Sequence, residues 1–459
     1  MPYQDFREFL GALRREGQLV DLDRPIALDD VGKALKKSYE REGPALMFKR
    51  NGTAFLLVGG VYSTRKKALL AFEASEETLF QKLWGGLSKP IPPELVAGPP
   101  PCQDVVLLGD EIDIRKFPIP TYSPLDGGPY ITAGITTSVD PETGVPDIGH
   151  YRFMLLDGRR LTFFAEERNR FGKNLAKFRS RGAKPYGAIV VGVDPVLAYA
   201  CQFKVPDSTN DWHLAGGLRG APVQLTRCRT VDLQVPATAE VVIEFEVDDN
   251  NLVKEGPLGE HTGYYDAMCK QQPVAIITAI THRKAPIFQA LLTGKPVTEN
   301  HILKQIPLEL SFSDYIKRQF PSVERVSMRL ASSVSNYVVI AMKPRYAGEV
   351  RQVILSAFAS PLRAKWVIVV DTDIDVHDPA EVEWAMSFRV RPHEDILVLN
   401  HMPRAGCDPS VPNPDDKAVT HLFSSAVGVD ATMPFGEPFP QVADVPGWRD
   451  FKLPEIDRS

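Results

Sequence analysis

The chain has 459 residues, of which 44% are hydrophobic and 24% charged, and this ordinary globular composition excludes wholesale disorder. Its 53 basic and 58 acidic residues give a net charge of −5, which excludes the overall positive field expected of a protein that binds nucleic acid or an anionic membrane. No apolar run reaches the roughly 18 residues needed to cross a bilayer, and the opening residues lack the basic and then apolar pattern of a signal peptide.

The length predicts about two or three domains. The five cysteines show no C-x-x-C spacing, which is typical of a reducing compartment. We therefore expect a cytoplasmic enzyme.

The first hundred residues predict a small α/β unit. Four apolar residues follow the spacing of one helical face: Phe6, Phe9, Leu10 and Leu13. Gly17 offers a stop for this helix, residues 54–59 predict a strand, and residues 69–72 predict a short helix. The proline-rich stretch Lys89–Cys102 indicates a linker or an ordered loop to a second unit.

The middle third is rich in strands. Three β-branched runs are bounded by Gly, Pro or Asp: Ala188–Val193, Val241–Val247 and Val274–Thr281. In the second run Glu244 and Glu246 alternate with apolar residues, which predicts a half-exposed strand, and residues 175–181 have helical spacing. We expect a barrel-like or sandwiched sheet.

The last third predicts an α/β layer. A strand, helix, strand and helix follow in order: Tyr337–Met342, Glu349–Ala359, Trp366–Val370 and Glu381–Phe388. This β-α-β-α order favours parallel pairing of the strands.

The segment Glu255–Glu260, EGPLGE, carries two carboxylates on a stretch whose Gly and Pro residues prevent a regular helix. If both carboxylates point into one cavity, repulsion raises the pKa of one, and a nearby arginine keeps the other ionised. That arrangement suits a general acid. The alternative is a surface turn with two solvated glutamates.

Two further segments carry candidate groups. Asp140–Met154, DPETGVPDIGHYRFM, offers Asp147 as a metal ligand, His150 as a polar contact and Arg152 as an anion-binding guanidinium. The alternative is that Arg152 is an ordinary exposed basic residue.

Aspartates also follow the predicted strand Trp366–Val370: Asp371, Asp373 and Asp375. They are typical of the Asp-x-Asp metal site of nucleotide-sugar glycosyltransferases. A calcium loop is excluded, because Val376 replaces its turn glycine and Val382 its closing glutamate. The alternative is that these acids end the strand and cap the helix that begins near Pro379.

Other common catalytic motifs are missing from the sequence. It contains no H-E-x-x-H, no Walker-A loop, no complete G-x-G-x-x-G after a strand and no G-x-S-x-G.

In order along the chain, these segments resemble the UbiD-type decarboxylases, which use prenylated FMN. The resemblance rests on FREFLGALRREGQLVDLDRPI, SVDPETGVPDIGHYRFM, VPATAEVVIE with EGPLGEHTGYY, KWVIVVDTDID with EWAMSFRVRP, and GVDATMPFGEP. It covers most of the chain.

The resemblance implies a catalytic set of Arg152, Glu255 and Glu260. Glu260 would deliver the proton, while Glu255 and Arg152 set its charge state. The implied cofactor-binding residues are Asp147, Ile148, Gly149, His150, Tyr151, Arg152 and Lys365, the last near the cofactor phosphate. The prenylated flavin would act as the covalent electron sink that a departing CO₂ requires, because no protein side chain delocalises that charge.

The resemblance also implies a divalent ion, Mn²⁺ or Mg²⁺, with K⁺ as a further candidate. Asp147 stands where many relatives have an asparagine ligand, and Asp211 where they have a glutamate. Both keep oxygen donors. The histidine ligand of many relatives is missing from FFAEERNRFGKNL, where Glu166, Glu167 or Asn169 would have to substitute, and we take Glu167 as the third ligand.

Together these inferences predict a multidomain α/β (α+β) protein in three parts. An N-terminal α/β domain spans residues 1–110, a central β-rich, split-barrel-like domain that binds prenylated FMN spans 111–305, and a C-terminal α/β oligomerisation domain spans 306–459. The expected reaction is the reversible, non-oxidative decarboxylation of an aromatic, heteroaromatic or other α,β-unsaturated acid. His301 and Lys304 are the candidate contacts to a ring substituent or second carboxylate, and their alternative is an ordinary surface role.

The resemblance further implies a flavin prenyltransferase as the supplier of the cofactor, and a homodimer or homohexamer. Two other functions stay open from the sequence. One is a metal-dependent glycosyltransferase that uses Asp371 and Asp373. The other is a non-catalytic flavin-binding subunit, which the missing histidine ligand favours.

Overall fold

The structure is a computed structural model. It describes residues 3–165, 169–265, 271–403, 408–411, 423–443, 445–447 and 450–451. Among these residues, no helix combines the length and apolar character needed to span a bilayer.

The N-terminal domain is the predicted α/β unit. Its helices are α1 (Phe6–Arg15), α2 (Leu28–Tyr39), α3 (Arg65–Ala71) and α4 (Glu76–Ser88), and its strands are β1 (Leu19–Leu22), β2 (Ala45–Phe48) and β3 (Leu56–Gly59). The side chain of Asp5 caps α1, and the apolar face predicted for this helix is buried. Gly17 follows with a φ of 65°, a left-handed conformation that favours glycine.

The central domain is built on a curled, half-barrel sheet. Its strands are β4 (Glu94–Leu95), β5 (Val105–Leu108), β6 (Tyr130–Ile131), β7 (Ile135–Val139), β8 (Pro146–His150), β9 (Phe153–Leu155), β10 (Arg160–Phe163), β11 (Tyr186–Val191), β12 (Gln224–Arg227), β13 (Gln234–Pro236), β14 (Val241–Lys254), β15 (Gln271–His282) and β16 (Ile287–Ala290). Its helices are α5 (Arg170–Ser180), α6 (Pro195–Ala200) and α7 (Asp211–Arg219).

The main sheet has the strand order β6-β9-β10-β15-β14-β11-β7-β8, with β5 also paired to β15. All of these pairs are antiparallel. Strand β15 is long enough that β10 and β5 pair with different parts of it. A small sheet of β13, β12 and β4 lies apart from this path.

The exposed face predicted for Val241–Val247 is wrong at Glu244 and holds only at Glu246. Glu244 is fully buried, whereas the side chain of Glu246 is 39% exposed. Its carboxylate accepts hydrogen bonds from the N–H of Arg229 and from the N–H and hydroxyl of Thr230. A loop that supplies three donors therefore permits a charged residue inside the sheet.

The C-terminal domain has the predicted β-α-β-α order and parallel pairing. Its helices are α8 (Glu299–Gln319), α9 (Glu349–Ala359), α10 (Pro379–Phe388) and α11 (Pro392–Asp395), and its strands are β17 (Val323–Met328), β18 (Tyr337–Met342), β19 (Trp366–Val370), β20 (Ile396–Pro403) and β21 (Phe423–Ala431). The sheet order is β17-β18-β19-β21-β20, and β18, β19 and β21 run parallel.

The three predicted parts share strands and a helix, so the predicted boundaries at residues 110 and 305 do not separate the sheets and helices cleanly. Strand β16 pairs with β3 and completes the N-terminal sheet as β1-β2-β3-β16. Strand β5, which precedes residue 110, belongs to the central sheet through β15. The predicted boundary at residue 305 lies inside helix α8.

Candidate active site

Three charged residues that are far apart in the chain meet at one end of the central sheet. Arg152 lies in the short link between β8 and β9, Glu255 directly follows β14, and Glu260 lies on the loop before β15. The guanidinium of Arg152 donates from Nε to Glu255 Oε1 at 3.0 Å and from Nη2 to Oε2 at 2.9 Å. Its Nη1 donates to Glu260 Oε1. One arginine therefore binds both carboxylates of the EGPLGE loop.

The burial of these three side chains differs in a way that suits different roles. The Glu255 side chain is fully buried, whereas Arg152 is 13% and Glu260 15% exposed. The Tyr130 hydroxyl also donates to Glu255 at 3.0 Å, so Glu255 is held from two sides. The Phe164 ring lies under the guanidinium at 5.1 Å, a cation–π contact that fixes the arginine further. Of the two glutamates, Glu260 has the freer access to a ligand.

The glycine-rich loop is anchored by the segment from Tyr122 to Gly127. Asp126 accepts the N–H of Gly259 at 3.0 Å with one oxygen and the N–H groups of Tyr122 and Ser123 with the other. The N–H of Gly127 donates to the Pro257 carbonyl at 2.8 Å. A Cβ on Gly127 would lie 2.5 Å from the carbonyl oxygen of Gly256, so only glycine permits this close approach.

Residues of the C-terminal part of the chain hold the next turn of the same loop. His301 accepts from Thr298 through Nδ1, which caps helix α8, and donates from Nε2 to the His261 carbonyl at 2.7 Å. The His261 ring is hydrogen-bonded to the Ser333 hydroxyl. Both ring nitrogens of His301 are thus engaged, and a substrate contact would require one of these bonds to break. In this arrangement His301 positions the loop.

Lys304 influences three imidazoles around the site. Burial, and after it the Lys304 ammonium, lowers the pKa of His150 to about 4. Burial also lowers the pKa of His301 to about 4 and that of His261 well below its usual value, with Lys304 contributing in both cases. The three rings are therefore neutral at pH 7, and the positive charge of this region belongs to Lys304 and Arg152.

The outer edge of β8 offers backbone donors beside these side chains. Ile148 pairs with Thr137 of β7, but its N–H donates to Asp211 at 2.9 Å. Because antiparallel strands alternate their bonding direction, the N–H of His150 points to the same outer edge. The His150 ring is bonded to Gln202 at 2.9 Å. The remaining backbone donor, that of His150, and the positive charge together suit an anionic, hydrogen-bonding ligand.

Asp147 and Asp211, the predicted metal ligands, meet around a third residue. Arg170, at the start of α5, donates from Nη1 to Asp211 Oδ1 at 2.7 Å, and its Nε lies 3.3 Å from Asp147 Oδ1. Burial and the neighbouring Asp211 raise the pKa of Asp147 to about 6, against the opposing effect of Arg170, and burial also raises the pKa of Asp211. The third predicted ligand, Glu167, lies outside the described residues.

As they stand, these residues do not fit a divalent ion. Three of the four carboxylate oxygens accept hydrogen bonds, from Ser138, the Ile148 N–H and Arg170, and the fourth, Asp147 Oδ1, is in ion-pair contact with Arg170. Within the described ranges, no group of three or more His, Cys, Asp or Glu residues has the geometry of a metal site.

Lys365, the predicted phosphate contact, directly precedes β19 in the C-terminal domain. Its ammonium is bonded to both oxygens of Asp408 and to the Ser410 hydroxyl. A contact with a cofactor phosphate would have to compete with these bonds, and it stays a prediction.

The structure does not support the glycosyltransferase alternative. Arg389, whose side chain is buried, binds Asp371 at 2.7 Å and both oxygens of Asp373. The N–H of Met433 donates to Asp371 as well. The two aspartates therefore form a structural ion-pair cluster, which leaves them unsuited to hold the metal of a nucleotide sugar.

Three groups at this site were not predicted from the sequence: Asp126, Tyr130 and Arg170. Asp126 acts on a loop that lies 133 residues further along, and Tyr130 bonds to a residue 125 positions away. No local pattern signals such contacts. Arg170 could have been suspected from the sequence. The predicted metal site lacks its histidine ligand, and two buried aspartates without a complete metal ligand set need another cation beside them.

Three family profiles match consecutive parts of the chain. All describe 3-octaprenyl-4-hydroxybenzoate carboxy-lyase (UbiD): its N-terminal domain at residues 10–84, its Rift-related domain at 94–296 and its C-terminal domain at 301–431. Among proteins, the chain is similar to an uncharacterized protein of Archaeoglobus fulgidus, with 30% identity over 458 residues, 94% of this chain and 92% of the relative.

Solved structures of similar proteins have the same fold. HmfF of Pelotomaculum thermopropionicum, a UbiD-class enzyme in complex with FMN, is 29% identical with a TM-score of 0.89, over 99% of this chain and 100% of that chain. An evolved dimeric form of the same enzyme, in complex with prFMN, has a TM-score of 0.86. The closed form of vanillic acid decarboxylase from Sedimentibacter hydroxybenzoicus is 28% identical with a TM-score of 0.86, over 98% of each chain.

Proposed function

This chain belongs to the UbiD family of carboxy-lyases, and from that premise we propose that it decarboxylates an aromatic, heteroaromatic or other α,β-unsaturated carboxylic acid with prenylated FMN. The observation that carries the proposal is the binding of Glu255 and Glu260 by one guanidinium, that of Arg152. The reaction is reversible in principle, and its products are CO₂ and a substrate carbon that carries a proton instead of the carboxylate.

The two glutamates take different parts in this reaction. Glu255 is buried and bonded twice to Arg152, so it fixes the arginine and stays its counter-charge. Glu260 makes a single bond to the guanidinium and is partly exposed. When the substrate carboxylate binds to Arg152, it competes for Nη1 and leaves Glu260 without its counter-charge. That loss favours the protonated form of Glu260.

A protonated Glu260 can then act as the general acid. After CO₂ has left, Glu260 donates its proton to the carbon that carried the carboxylate. Its exposed side then allows it to be protonated again from water. Arg152 holds the carboxylate beforehand by a charge-assisted hydrogen bond. The loop held by Asp126 and His301 keeps the acid at a fixed position relative to the arginine.

The donor set fits a flavin mononucleotide. The N–H of His150 at the outer edge of β8 provides a backbone donor, and Lys304 and Arg152 provide positive charge for an anionic group. When bound, prenylated FMN supplies the electron sink that the loss of CO₂ from an unsaturated carbon requires. The structures of HmfF with FMN and with prFMN support the same ligand here. Its supplier would be a flavin prenyltransferase.

Lys304 stays a candidate substrate contact. It places a positive charge among three neutral imidazoles, which suits a second carboxylate or an acidic ring substituent. His301 instead bonds to Thr298 and to the His261 carbonyl.

We also expect a homo-oligomer that uses the C-terminal domain. Among the described residues, β20 is the edge strand of its sheet, and Val398 on that strand is 55% exposed. Phe388, at the end of α10, is 71% exposed. Exposed apolar side chains, on an edge strand or at the end of a helix, are typical of a surface that a partner covers.

The first experiment compares the protein co-expressed with a flavin prenyltransferase and the protein expressed without it. We expect prenylated FMN, identified by its absorbance spectrum and by the mass of the released cofactor, only in the co-expressed preparation. Aromatic acids are then screened for CO₂ release. Colourless protein from both preparations would contradict the proposal.

A further inference from the structure

The cation that joins Asp147 and Asp211 in this protein belongs to the chain itself. We infer that the guanidinium of Arg170 replaces the divalent ion that the sequence analysis assigns to these two carboxylates, and that the site does not take up Mn²⁺ or Mg²⁺. The inference concerns this chain's departure from the ligand set of its relatives. Only its statement about cofactor binding rests on the proposed function.

The bonds around Arg170 leave little opportunity for a metal ion. The Nη1 atom binds Asp211, the Nε atom faces Asp147, and the Nη2 atom donates to the carbonyls of Pro146 at 3.1 Å and Thr209 at 2.9 Å. All three guanidinium nitrogens are therefore engaged. An incoming ion would have to displace the arginine and also draw both carboxylates away from their other donors.

The chemistry of the two cations explains why they exclude one another. Mn²⁺ and Mg²⁺ need several oxygen ligands at short distances, whereas a guanidinium binds carboxylates through directed N–H groups without a coordination shell. Asp147 and Asp211 are each 4% exposed, so at least one positive charge must lie beside them. Arg170 provides it from a side chain that is itself 15% exposed.

The exchange changes what the site can do for a cofactor. A divalent ion between two ionised carboxylates leaves no net charge, whereas one guanidinium leaves a charge of −1. The phosphate of a flavin therefore obtains its counter-charge from other residues. Arg170 acts instead as a positioning residue, because it ties β8 to α7 and to the loop at Thr209, and β8 leads directly to Arg152.

The test measures Mn²⁺ and FMN binding to the full-length chain, with no activity required. Free Mn²⁺ is followed by its electron paramagnetic resonance signal, and FMN by quenching of its fluorescence, in EDTA and in excess Mn²⁺. We expect the unmodified protein to leave the Mn²⁺ signal unchanged and to bind FMN equally in both conditions. Uptake of one Mn²⁺ per chain, with FMN binding lost in EDTA, would overturn the inference.

Substitution of the arginine should reverse this behaviour. Arg170→Met leaves two buried carboxylates without a cation, so we expect it to take up Mn²⁺ and to bind FMN about tenfold more weakly in EDTA than in Mn²⁺. Arg170→Lys keeps the positive charge and takes the place of the methionine variant if that variant does not fold. We expect it to take up Mn²⁺, but more weakly than is expected of Arg170→Met. A folded Arg170→Met that takes up no Mn²⁺ and keeps its FMN affinity would also refute the inference.

Arg179→Met is the matched control. Arg179 lies on the same helix and makes a two-bond ion pair with Asp249, but at the surface. We expect no gain of Mn²⁺ and no change in FMN affinity. If FMN binds to none of these proteins in either condition, the proposed cofactor is wrong, while the Mn²⁺ signal still decides whether Arg170 excludes the metal.

Discussion

At the scale of single residues, the site depends on three charged groups that were predicted and on other groups, charged and neutral, that were not. Arg152, Glu255 and Glu260 could be predicted, because the chemistry of the loop and the resemblance both point to them. The structure adds that one guanidinium holds both carboxylates. Tyr130 and Asp126 could not be predicted, since each acts on a residue more than a hundred positions away.

Glu260→Gln should separate proton delivery from cofactor binding. The amide keeps the size of the side chain but supplies no proton, so we expect turnover to fall by about 100- to 10,000-fold. The prenylated FMN content should be unchanged. The measurement is CO₂ release at a saturating concentration of the carboxylic acid substrate, together with the absorbance of the bound cofactor.

The control for this variant is Glu246→Gln. Glu246 pairs with Lys184 at the surface of the same domain, away from the loop, and its substitution should leave turnover intact. Full activity of Glu260→Gln would rule out Glu260 as the acid. If instead neither the unmodified protein nor any variant releases CO₂ while all bind the flavin, the non-catalytic subunit becomes the better interpretation.

At the scale of helices and strands, the local sequence patterns predicted well which elements form, and less well which of their residues are buried. Tyr337–Met342, Glu349–Ala359 and Trp366–Val370 have the bounds that were predicted, because their apolar runs are bounded by clear stop signals. The alternation in β14 indicated exposure, but the loop that covers Glu244 comes from elsewhere in the chain. Periodicity therefore reports the local conformation and not what later packs against it.

Helix α8 contains a buried carboxylate that should make stability depend on pH. Glu309 accepts the Met328 N–H at 3.1 Å, and burial raises its pKa to about 7 from 4.5. The unfolded chain releases this proton near pH 4.5 and the folded chain near pH 7, so the folded state loses stability as the pH rises through this range. Above it, the expected cost is up to about 3 kcal/mol.

Glu309→Gln tests this cost, because the amide oxygen can still accept from Met328 and carries no charge at any pH. We expect the variant to be more stable than the unmodified protein at pH 8 and similar to it at pH 4.5, as measured by urea unfolding at both values. Glu324→Gln, on an exposed position of β17, should show no such difference. Equal stability of Glu309→Gln and the unmodified protein at pH 8 would contradict the assigned pKa.

At the scale of the whole molecule, three parts were predicted and three main sheets are present, but the chain does not divide cleanly between them. Helix α8 begins before the predicted boundary at residue 305, and its side chains Ile302, Leu303, Ile306 and Leu310 join the core shared by the N-terminal and central domains. Further along, Phe312 and Ile316 join the core of the C-terminal domain. A helix that serves two cores gives no sequence signal of a boundary.

Truncation of the chain within α8 should show how the helix is shared. A fragment that ends at residue 305 lacks Ile306 and Leu310, whereas one that ends at 311 keeps both, so we expect the longer fragment to be more stable by about 3 to 6 kcal/mol. Denaturant unfolding of the two fragments measures the difference. Equal unfolding midpoints would show that Ile306 and Leu310 contribute little to the core shared by the N-terminal and central domains.

The pairing of β16 with β3 also bears on how the protein is made. Residues 287–290 supply the last strand of a sheet whose other strands lie before residue 60. As the chain emerges from the ribosome, the edge of β3 that pairs with β16 stays unpaired until more than two hundred further residues have been synthesised. During translation, the beginning of the chain therefore cannot reach its final structure on its own, and a chaperone that shields such an edge would have its greatest effect before residue 290 emerges.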